Sequence, residues 1–256
     1  MGSGQKLHAR VALVTGGQRG LGAAILREFA AEGATCVVNY PARSERAEAE
    51  ALVGQLTSNG VQAVAIEANV ADSAASHELI DKVLGSFGRL DILVNNAGVN
   101  SLETWEEISR DTWDNTISVN LTGLFNCCKS ALPKMREQSR GNIINISSVA
   151  AFIGRGNADY IATKSAVIGL TRSLARQYGR HGVRANCISP GFHDTLMTSR
   201  ARKNASENAD DFISNVPLGF LAEPDSIGKA AVFLASDDSY YVTGHNLIVD
   251  GGLTLR

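Results

Sequence analysis

A tyrosine and a lysine four residues apart, Tyr160 and Lys164, stand out as side chains that could move a proton. On a helix, positions i and i+4 share one face, so the ammonium group of Lys164 would lie beside the ring of Tyr160. A nearby cation favours the phenolate and lowers the tyrosine pKa from its ordinary value of about 10. The pair could therefore act as a general acid or base near neutral pH, although this spacing is also common in helices that have no catalytic role.

Two further polar features accompany this pair. The apolar run at 141–146 is typical of a buried strand and ends in the hydroxyls of Ser147 and Ser148, twelve residues before Tyr160. Asn120 falls inside a predicted helix, where asparagine is a poor helix former. Either its amide is tolerated at the protein surface, or it has a function.

A glycine-rich loop near the start of the chain is typical of a phosphate-binding turn. The strand pattern at 10–15 runs into Gly16-Gly17-Gln18-Arg19-Gly20-Leu21-Gly22, and a strong helix-forming segment follows at 23–32. Glycines let a pyrophosphate approach the backbone, and the helix N-terminus offers free N–H groups and the positive end of its dipole. The spacing also fits a plain tight turn, and the Gly-Lys-Ser/Thr sequence of a P-loop is absent.

The end of the second predicted strand, at 35–40, bears on the choice between NAD and NADP. NAD sites usually place an acid there, which binds the ribose 2′-hydroxyl, but this strand ends in Asn39-Tyr40 and the first acid is Glu45. Arg19 and Arg43 supply guanidinium groups that could bind a 2′-phosphate. We therefore expect NADP(H) to be preferred. If both arginines are merely solvated, NAD(H) stays an alternative.

Strand patterns and helix patterns alternate along the whole chain. Strands are predicted at 10–15, 35–40, 61–66, 91–98, 141–147, 183–188 and 246–249, and helices at 23–32, 43–59, 73–87, 115–138, 158–181 and 225–235, with Asp72 or Ser73 capping the third. This alternation implies a parallel sheet with helices on both faces. We predict an α/β fold, a Rossmann-like doubly wound parallel sheet of about seven strands, in a single domain spanning residues 1–256. The irregular, polar segment 192–216 is interpreted as a substrate lid.

Composition excludes several classes of protein. The 24 basic and 26 acidic side chains give a net charge of −2, without the basic patch that a nucleic-acid partner needs. No apolar run approaches the roughly 20 residues of a membrane span, and the first residues lack the apolar part of a signal peptide, so a cytoplasmic protein is expected. The four cysteines lack metal-site spacing, which predicts buried reduced thiols and no metal.

From about residue 8 to its end, the chain resembles the short-chain dehydrogenase/reductase family. The resemblance is greatest to its 3-oxoacyl-[acyl-carrier-protein] reductase branch and to small-ketone relatives of that branch. The residues that carry it are Thr15-Gly16-x-x-x-Gly20-x-Gly22, Asn95-Asn96-Ala97-Gly98, Asn120, Ser148, Tyr160-x-x-x-Lys164, Pro190-Gly191-x-x-x-Thr195 and Val249-Asp250-Gly251-Gly252. Each motif is weak alone, but all of them occur in order at family-like spacing.

The resemblance implies a role for each of these positions. Tyr160 would exchange a proton with a carbonyl oxygen while a nicotinamide exchanges hydride, and Lys164 would lower the tyrosine pKa and bind the nicotinamide ribose. Ser148 would hydrogen-bond the substrate oxygen, and Asn120 would position a water behind Lys164. The residues expected to contact the cofactor are Gly16, Gln18, Arg19, Gly20, Leu21, Gly22, Asn39, Tyr40, Asn69, Val70, Asn96, Ala97, Gly98, Tyr160, Lys164, Pro190, Gly191, His193 and Thr195.

Three positions depart from the family pattern. Asn69 replaces the usual aspartate, so altered adenine binding is expected. The interval from Ser148 to the tyrosine is one residue shorter than is most common, so Ser147 could share or take the role of Ser148. His193 stands where Ile or Val is usual, and its imidazole would lie near the substrate unless it is a solvated loop side chain.

The resulting prediction is an NADP(H)-dependent oxidoreductase that reduces a ketone to a secondary alcohol, or catalyses the reverse reaction, with a 3-oxoacyl thioester as one candidate. The alternatives are an NAD-dependent alcohol, sugar or steroid dehydrogenase and a non-catalytic nucleotide-binding regulator. Arg140 and Arg180-His181 match only in part the basic positions that grip an acyl carrier protein in the resembled branch. The resemblance also implies a homotetramer, paired through helices 115–138 and 158–181 and through the last strand.

Overall fold

A single sheet of seven parallel strands forms the centre of the fold. The computed structural model describes residues 5–154, 156–204 and 213–255, and within them the strand order is β3-β2-β1-β4-β5-β6-β7. The strands are β1 (Val11–Val14), β2 (Thr35–Tyr40), β3 (Ala63–Glu67), β4 (Ile92–Asn95), β5 (Gly141–Ile146), β6 (Val183–Pro190) and β7 (Asn246–Val249). The predicted fold class is confirmed.

Helices connect the strands and cover the sheet. They are α1 (Gly20–Ala31), α2 (Arg46–Ser58), α3 (Ser73–Phe87), α4 (Arg110–Ile117), α5 (Gly123–Glu137), the short α6 (Ala150–Ile153), α7 (Ala158–Tyr178), α8 (Leu196–Asn204) and α9 (Asp225–Ala235). None of the helices in the described part of the chain is long and apolar enough to cross a membrane.

The helices form two layers, one on each face of the sheet. Phe29 of α1 and Ile227 of α9 belong to one buried apolar cluster, whereas Leu79 of α3 and Val167 of α7 belong to another. Successive residues of β1 (Val11–Val14) join the two clusters alternately, because neighbouring strand residues point to opposite faces. The sheet is therefore buried on both sides.

Local capping explains where two of the helices begin. Asp72 caps α3 as predicted, since its carboxylate accepts hydrogen bonds from two backbone N–H groups of the first turn. The helix predicted to start at residue 115 instead starts at Arg110, because the hydroxyl of Ser109 accepts the N–H of Thr112 at 3.0 Å. The same helix then passes through one π-helical turn, Ser118–Thr122, before α5.

The segment predicted to be an irregular lid is partly helical. Residues 196–204 form α8, so the prediction of irregular structure across 192–216 is wrong there. The polar composition of α8 hides it in the sequence, because a helix without a long apolar stripe gives little periodic signal. The part of the predicted lid at 205–212 lies outside the described residues.

A chain of buried amide and hydroxyl groups crosses the middle of the sheet. The amide nitrogen of Asn95 on β4 donates to the amide oxygen of Asn145 on β5 at 2.8 Å, and Asn145 donates in turn to the hydroxyl of Thr171 on α7 at 2.8 Å. The hydroxyl of Thr171 donates to the carbonyl of Val167. Each polar group in this chain is buried, so each hydrogen bond compensates for lost water.

We expect Asn145→Ala to lower the free energy of unfolding by about 2–4 kcal/mol, because it removes two buried hydrogen bonds and leaves a small cavity. Urea unfolding followed by circular dichroism measures the change. Gln177→Ala is the matched control, since Gln177 makes its side-chain hydrogen bond to Ser173 at the surface. A loss in Asn145→Ala no larger than that of the control would contradict the prediction.

Candidate active site

A cavity of about 700 Å³ opens at the carboxyl ends of the strands, where the strand order reverses beside β1. Most of the residues predicted from the sequence meet there. The predicted residues that line it are Gly16, Gln18, Arg19, Gly20, Leu21, Asn39, Asn69, Val70, Asn96, Ala97, Gly98, Ser148, Tyr160, Lys164, Pro190, Gly191, His193 and Thr195. Gly22, Tyr40 and Asn120 are not among the lining residues.

The glycine loop presents a helix N-terminus to this cavity. Gly16 and Gly20 have φ angles of +59° and +55°, in the region that favours glycine. A Cβ on Gly20 would meet nothing within 4 Å, so the space in front of the loop is open. Arg19 precedes α1 but makes no capping hydrogen bond with its side chain. The free N–H groups of the first turn therefore suit a phosphate.

Gly22 lies behind this loop, where the backbone is tightly packed. A Cβ on Gly22 would lie 2.5 Å from the carbonyl oxygen of Gly16 and 2.6 Å from the amide nitrogen of Asn96. Its role is thus to let α1 approach the loop, which explains why it does not line the cavity.

Asn96 joins the end of β4 to the glycine loop. Its amide donates to the carbonyls of Thr15 and Gly16, both at 2.9 Å. The hydroxyl of Thr15 accepts the N–H groups of Asn96 and Ala97 at 3.0 and 3.1 Å. The amide nitrogen of Asn96 is therefore occupied by hydrogen bonds within the protein and is not available to a cofactor.

The end of β2 does not offer the groups that the sequence led us to expect. The amide of Asn39 is buried and donates to the carbonyls of Ile66 and Ala68, while its oxygen accepts the N–H of Gly16. Tyr40 is 5% exposed and packs in the apolar core. Its side chain belongs to the apolar core and does not line the cavity, so the geometry lends no support to the contact predicted between Tyr40 and the cofactor, which stays a prediction.

A charged cluster that the sequence analysis missed lies at the same end of the cavity. The carboxylate of Glu45 accepts a hydrogen bond from the Gln18 amide and lies 3.2 Å from the Arg19 guanidinium. Glu48 contacts the same guanidinium at 3.4 Å. Glu45 lines the cavity, so an acid is present near the expected ribose site after all.

The loop after β3 is fixed by buried hydrogen bonds. The carbonyl of Val70 accepts from the Ser76 hydroxyl at 2.9 Å and from the Asn126 amide at 3.1 Å. The amide oxygen of Asn69 accepts the N–H of Ala71 at 3.1 Å. Asn69 and Val70 thus form a firm wall of the cavity at the position predicted for adenine contacts.

Tyr160 and Lys164 lie close together on α7, as predicted. The Lys164 Nζ lies 5.6 Å from the centroid of the Tyr160 ring and donates to the carbonyl of Ile146 at 2.8 Å. Burial lowers the pKa of Lys164 to about 8. Burial also raises the pKa of Tyr160, against an opposing hydrogen bond with Ser148. The predicted lowering of the tyrosine pKa is therefore wrong for this structure, because desolvation of the phenol dominates.

The two serines after β5 have different surroundings. The hydroxyl of Ser147 is buried and donates to the backbone carbonyl of Lys164 at 2.7 Å. Ser148 is half-buried, accepts the N–H of Ala150 at 3.1 Å and hydrogen-bonds Tyr160. Only Ser148 combines a place in the cavity wall with a bond to the phenol, so Ser147 is better explained as support for α7.

Asn120 and Asp159 stand behind this group. The side chain of Asn120 pairs with the backbone of Val99. Its amide oxygen accepts the N–H of Val99 at 2.8 Å, and its amide nitrogen donates to the carbonyl of Val99 at 2.9 Å. The buried carboxylate of Asp159, which the sequence analysis missed, accepts from the hydroxyls of Thr116 at 2.6 Å and Ser101 at 3.2 Å. It also accepts the N–H of Tyr160 at 2.8 Å.

His193 is neither solvated nor free in the cavity. It is 3% exposed, its Nδ1 lies 3.1 Å from the carbonyl oxygen of Gly191, and its Nε2 lies 3.0 Å from the hydroxyl of Ser226. The interpretation as a solvated loop side chain is thus wrong, because the ring joins the loop after β6 to the start of α9. Burial lowers the pKa of His193.

In the part of the chain that the structure describes, no cluster of three or more His, Cys, Asp or Glu side chains could hold a metal ion. The four cysteines are free and buried, and burial raises the pKa of Cys36, Cys127 and Cys128 to about 12. These thiols are therefore protonated and unreactive at neutral pH.

Comparisons with known proteins extend over nearly the whole chain. A family model described as "Enoyl-(Acyl carrier protein) reductase" matches residues 16–254. The 3-oxoacyl-[acyl-carrier-protein] reductase FabG of Staphylococcus aureus is 40% identical over 243 residues, which are 94% of this chain and 97% of that protein.

Two solved structures have the same fold. A gluconate 5-dehydrogenase from Burkholderia cenocepacia, in complex with NADP and tartrate, has a TM-score of 0.90 and 34% identity, covering 99% of this chain and 98% of that one. A blue fluorescent protein from a metagenomic library, in complex with NADPH, has a TM-score of 0.88 and 37% identity, covering 97% and 99%. The chain belongs to the short-chain dehydrogenase/reductase family and is an oxidoreductase.

Proposed function

We propose that this oxidoreductase uses NADP(H) to reduce a ketone to a secondary alcohol, or catalyses the reverse reaction, with Tyr160 as the general acid or base. The observation that carries the proposal is the meeting of Tyr160, Ser148 and Lys164 in the same cavity as an uncapped helix N-terminus. We take this cavity to hold both a dinucleotide and a small substrate. One end offers the helix N-terminus for the pyrophosphate, and the other offers Tyr160, Ser148 and Lys164 for proton transfer.

The proton chemistry follows from the surroundings of Tyr160. Its raised pKa keeps the phenol protonated at neutral pH, which is the form that donates a proton to a carbonyl oxygen. The hydroxyl of Ser148, which is hydrogen-bonded to the phenol, would also donate a hydrogen bond to the substrate's carbonyl oxygen as negative charge develops on that oxygen. Lys164 keeps its ammonium group at neutral pH and supplies positive charge beside the ring. When bound, the nicotinamide cofactor supplies or accepts the hydride.

Several observations support NADP(H) as the cofactor. Gly16, Gly20 and the start of α1 suit the pyrophosphate, and Arg19 stands at the cavity wall with its guanidinium half-exposed. Arginine binds phosphate more specifically than lysine does, because its planar donors match two oxygens at once. The two structural neighbours contain NADP and NADPH.

The substrate that we propose first is a 3-oxoacyl thioester. Leu102, Ile153, Leu196 and Met197 give the substrate end of the cavity an apolar wall, which suits an acyl chain, and the FabG relative is named for this substrate. An acyl carrier protein is a candidate partner. Arg140 does not support this partner within one subunit. It precedes β5, at the end of the strand opposite the cavity, and its guanidinium pairs with Asp237 at 3.3 Å.

We expect Tyr160→Phe to lower kcat for ketone reduction by about 10²- to 10⁴-fold, the usual contribution of a positioned general acid. NADPH and NADH oxidation would be followed with an acetoacetyl thioester, a diketone, an aromatic ketone and a ketose. Tyr178→Phe, which alters a tyrosine on the same helix away from the cavity, is the control. Full activity in Tyr160→Phe would overturn the catalytic role, and NADPH binding without turnover on any substrate would favour a regulator.

We also propose a homotetramer. Phe125 on α5 is 51% exposed with Lys129 over its ring, and Ile248 is 39% exposed on β7, the edge strand of the sheet. Light scattering at micromolar concentration is expected to give four times the chain mass of 27.1 kDa, and Phe125→Glu is expected to reduce it by removing apolar contact area. A monomer mass for the unmodified protein would contradict this proposal.

His193 anchors the segment Gly191–Thr195, which we propose to hold the carboxamide of the cofactor. A neutral imidazole has one N–H, and the carbonyl of Gly191 can only accept, so that hydrogen lies on Nδ1. The Nε2 atom lies 3.0 Å from the hydroxyl of Ser226, which donates to the carbonyl of Glu223 at 2.8 Å. The imidazole and Ser226 thus join the loop after β6 to the first turn of α9.

Because burial lowers the pKa of His193 by more than the hydrogen bond with Gly191 and the charge of Asp225 raise it, the unfolded chain binds a proton there more readily than the folded chain. We therefore expect the unfolding free energy to fall as pH drops through about 6.5 toward the lowered pKa, and His193→Gln to remove this part of the decline. Urea unfolding at several pH values measures it. His77→Gln, at an exposed position, is the control, and equal slopes for all three proteins would contradict the prediction.

A further inference from the structure

Glu45 lies at the end of the cavity where we expect the adenine ribose of the proposed cofactor, the part that carries a 2′-phosphate in NADP(H) and a 2′-hydroxyl in NAD(H). It lines the cavity together with Gln18 and Arg19, next to Asn39 at the end of β2. Its carboxylate accepts a hydrogen bond from the Gln18 amide and contacts the Arg19 guanidinium at 3.2 Å. The only cationic group in these contacts is thus already paired with an acid that belongs to the protein.

Gln18 gives a second, independent indication that this end of the cavity receives a polar ligand. Its side chain is 8% exposed, and its amide oxygen is buried with no hydrogen-bond partner among the described residues. A buried acceptor without a partner is costly, and a ligand hydroxyl would satisfy it. The side chain of Asn39 cannot bind this ligand hydroxyl, because its amide oxygen and nitrogen already form hydrogen bonds with backbone groups.

The two charged side chains would have opposite effects on the two cofactors. A 2′-phosphate is attracted by Arg19 but repelled by Glu45, and it must draw the guanidinium away from that carboxylate. A 2′-hydroxyl donates to an acid and needs no arginine. On the basis of the NADP(H)-dependent function proposed above, we propose that Glu45 is a cofactor-specificity residue: it opposes NADPH, accepts NADH, and so limits the preference that Arg19 provides.

Glu48 allows this role to be separated from a general effect of charge. It contacts the same guanidinium, at 3.4 Å, but it is more exposed than Glu45 and does not line the cavity. Exposed ion pairs contribute little to stability, so replacing either glutamate should leave the fold intact. Circular dichroism and the thermal unfolding midpoint without cofactor check that both variants are folded.

The experiment is a titration of NADPH and NADH against the unmodified protein, Glu45→Gln and Glu48→Gln, followed by nicotinamide fluorescence. In Glu45→Gln we expect NADPH to bind roughly 5-fold more tightly, the factor that removal of one like charge about 4 Å away produces in water. NADH binding should stay equal or weaken, and Glu48→Gln should change the ratio less than about 2-fold. The gain for NADPH should shrink in high salt, because exposed charges are screened.

Two outcomes would overturn the role of Glu45. One is a ratio of NADPH to NADH affinity that is unchanged or lower in Glu45→Gln, and the other is an equal rise in Glu48→Gln. The cofactor choice proposed above is tested separately by the unmodified protein. If that protein binds NADH more tightly, the choice of NADP(H) is wrong, while a shift toward NADPH in Glu45→Gln still supports the role of Glu45.

Discussion

The fastening of β4 to β1 by Asn96 and Thr15 is the interaction on which the rest of the site depends. β1 ends at Val14 and β4 at Asn95, and between them one further backbone bond follows, from the Thr15 N–H to the Val94 carbonyl at 3.0 Å. The Asn96 amide bonds two successive carbonyls, and the Thr15 hydroxyl accepts two successive N–H groups. These four bonds continue the pairing beyond the last strand residues. They hold Gly16 at its positive φ and thereby direct the start of α1 toward the cavity.

Burial acts in opposite directions on the two groups at the other end of the cavity. It raises the pKa of the Tyr160 phenol and lowers that of the Lys164 ammonium to about 8, because low polarity disfavours the charged form of each. Their order is thereby reversed relative to water, where the lysine holds its proton slightly more strongly. In the reaction proposed above, Lys164 would therefore give up a proton more readily than the Tyr160 phenol.

The sequence predicts those parts of the fold that depend on local pattern. β2 and β7 begin and end at the predicted residues, because turn residues bound short apolar runs. The sequence leaves the choice between Ser147 and Ser148 open, because both follow the last residue of β5 and their different hydrogen-bond partners arise only in the folded chain. The contacts of Glu45 and Asp159 could not be predicted in this way. Glu45 meets Gln18 and Arg19, and Asp159 meets Ser101, only after helices and loops far apart in sequence are packed together.

Asp159 fixes Tyr160, the proposed proton donor, to the neighbouring elements of the cavity wall. Its carboxylate is bonded to α4 through Thr116, to the loop after β4 through Ser101, and to the N–H of Tyr160 itself. Asn120 ties the same loop to the π-helical turn through Val99. A shift of this loop would therefore strain the first turn of α7, in which Tyr160 lies. Asn96 fastens the start of the same loop to the glycine-rich turn, so this loop connects the two ends of the cavity and a displacement of it would disturb both.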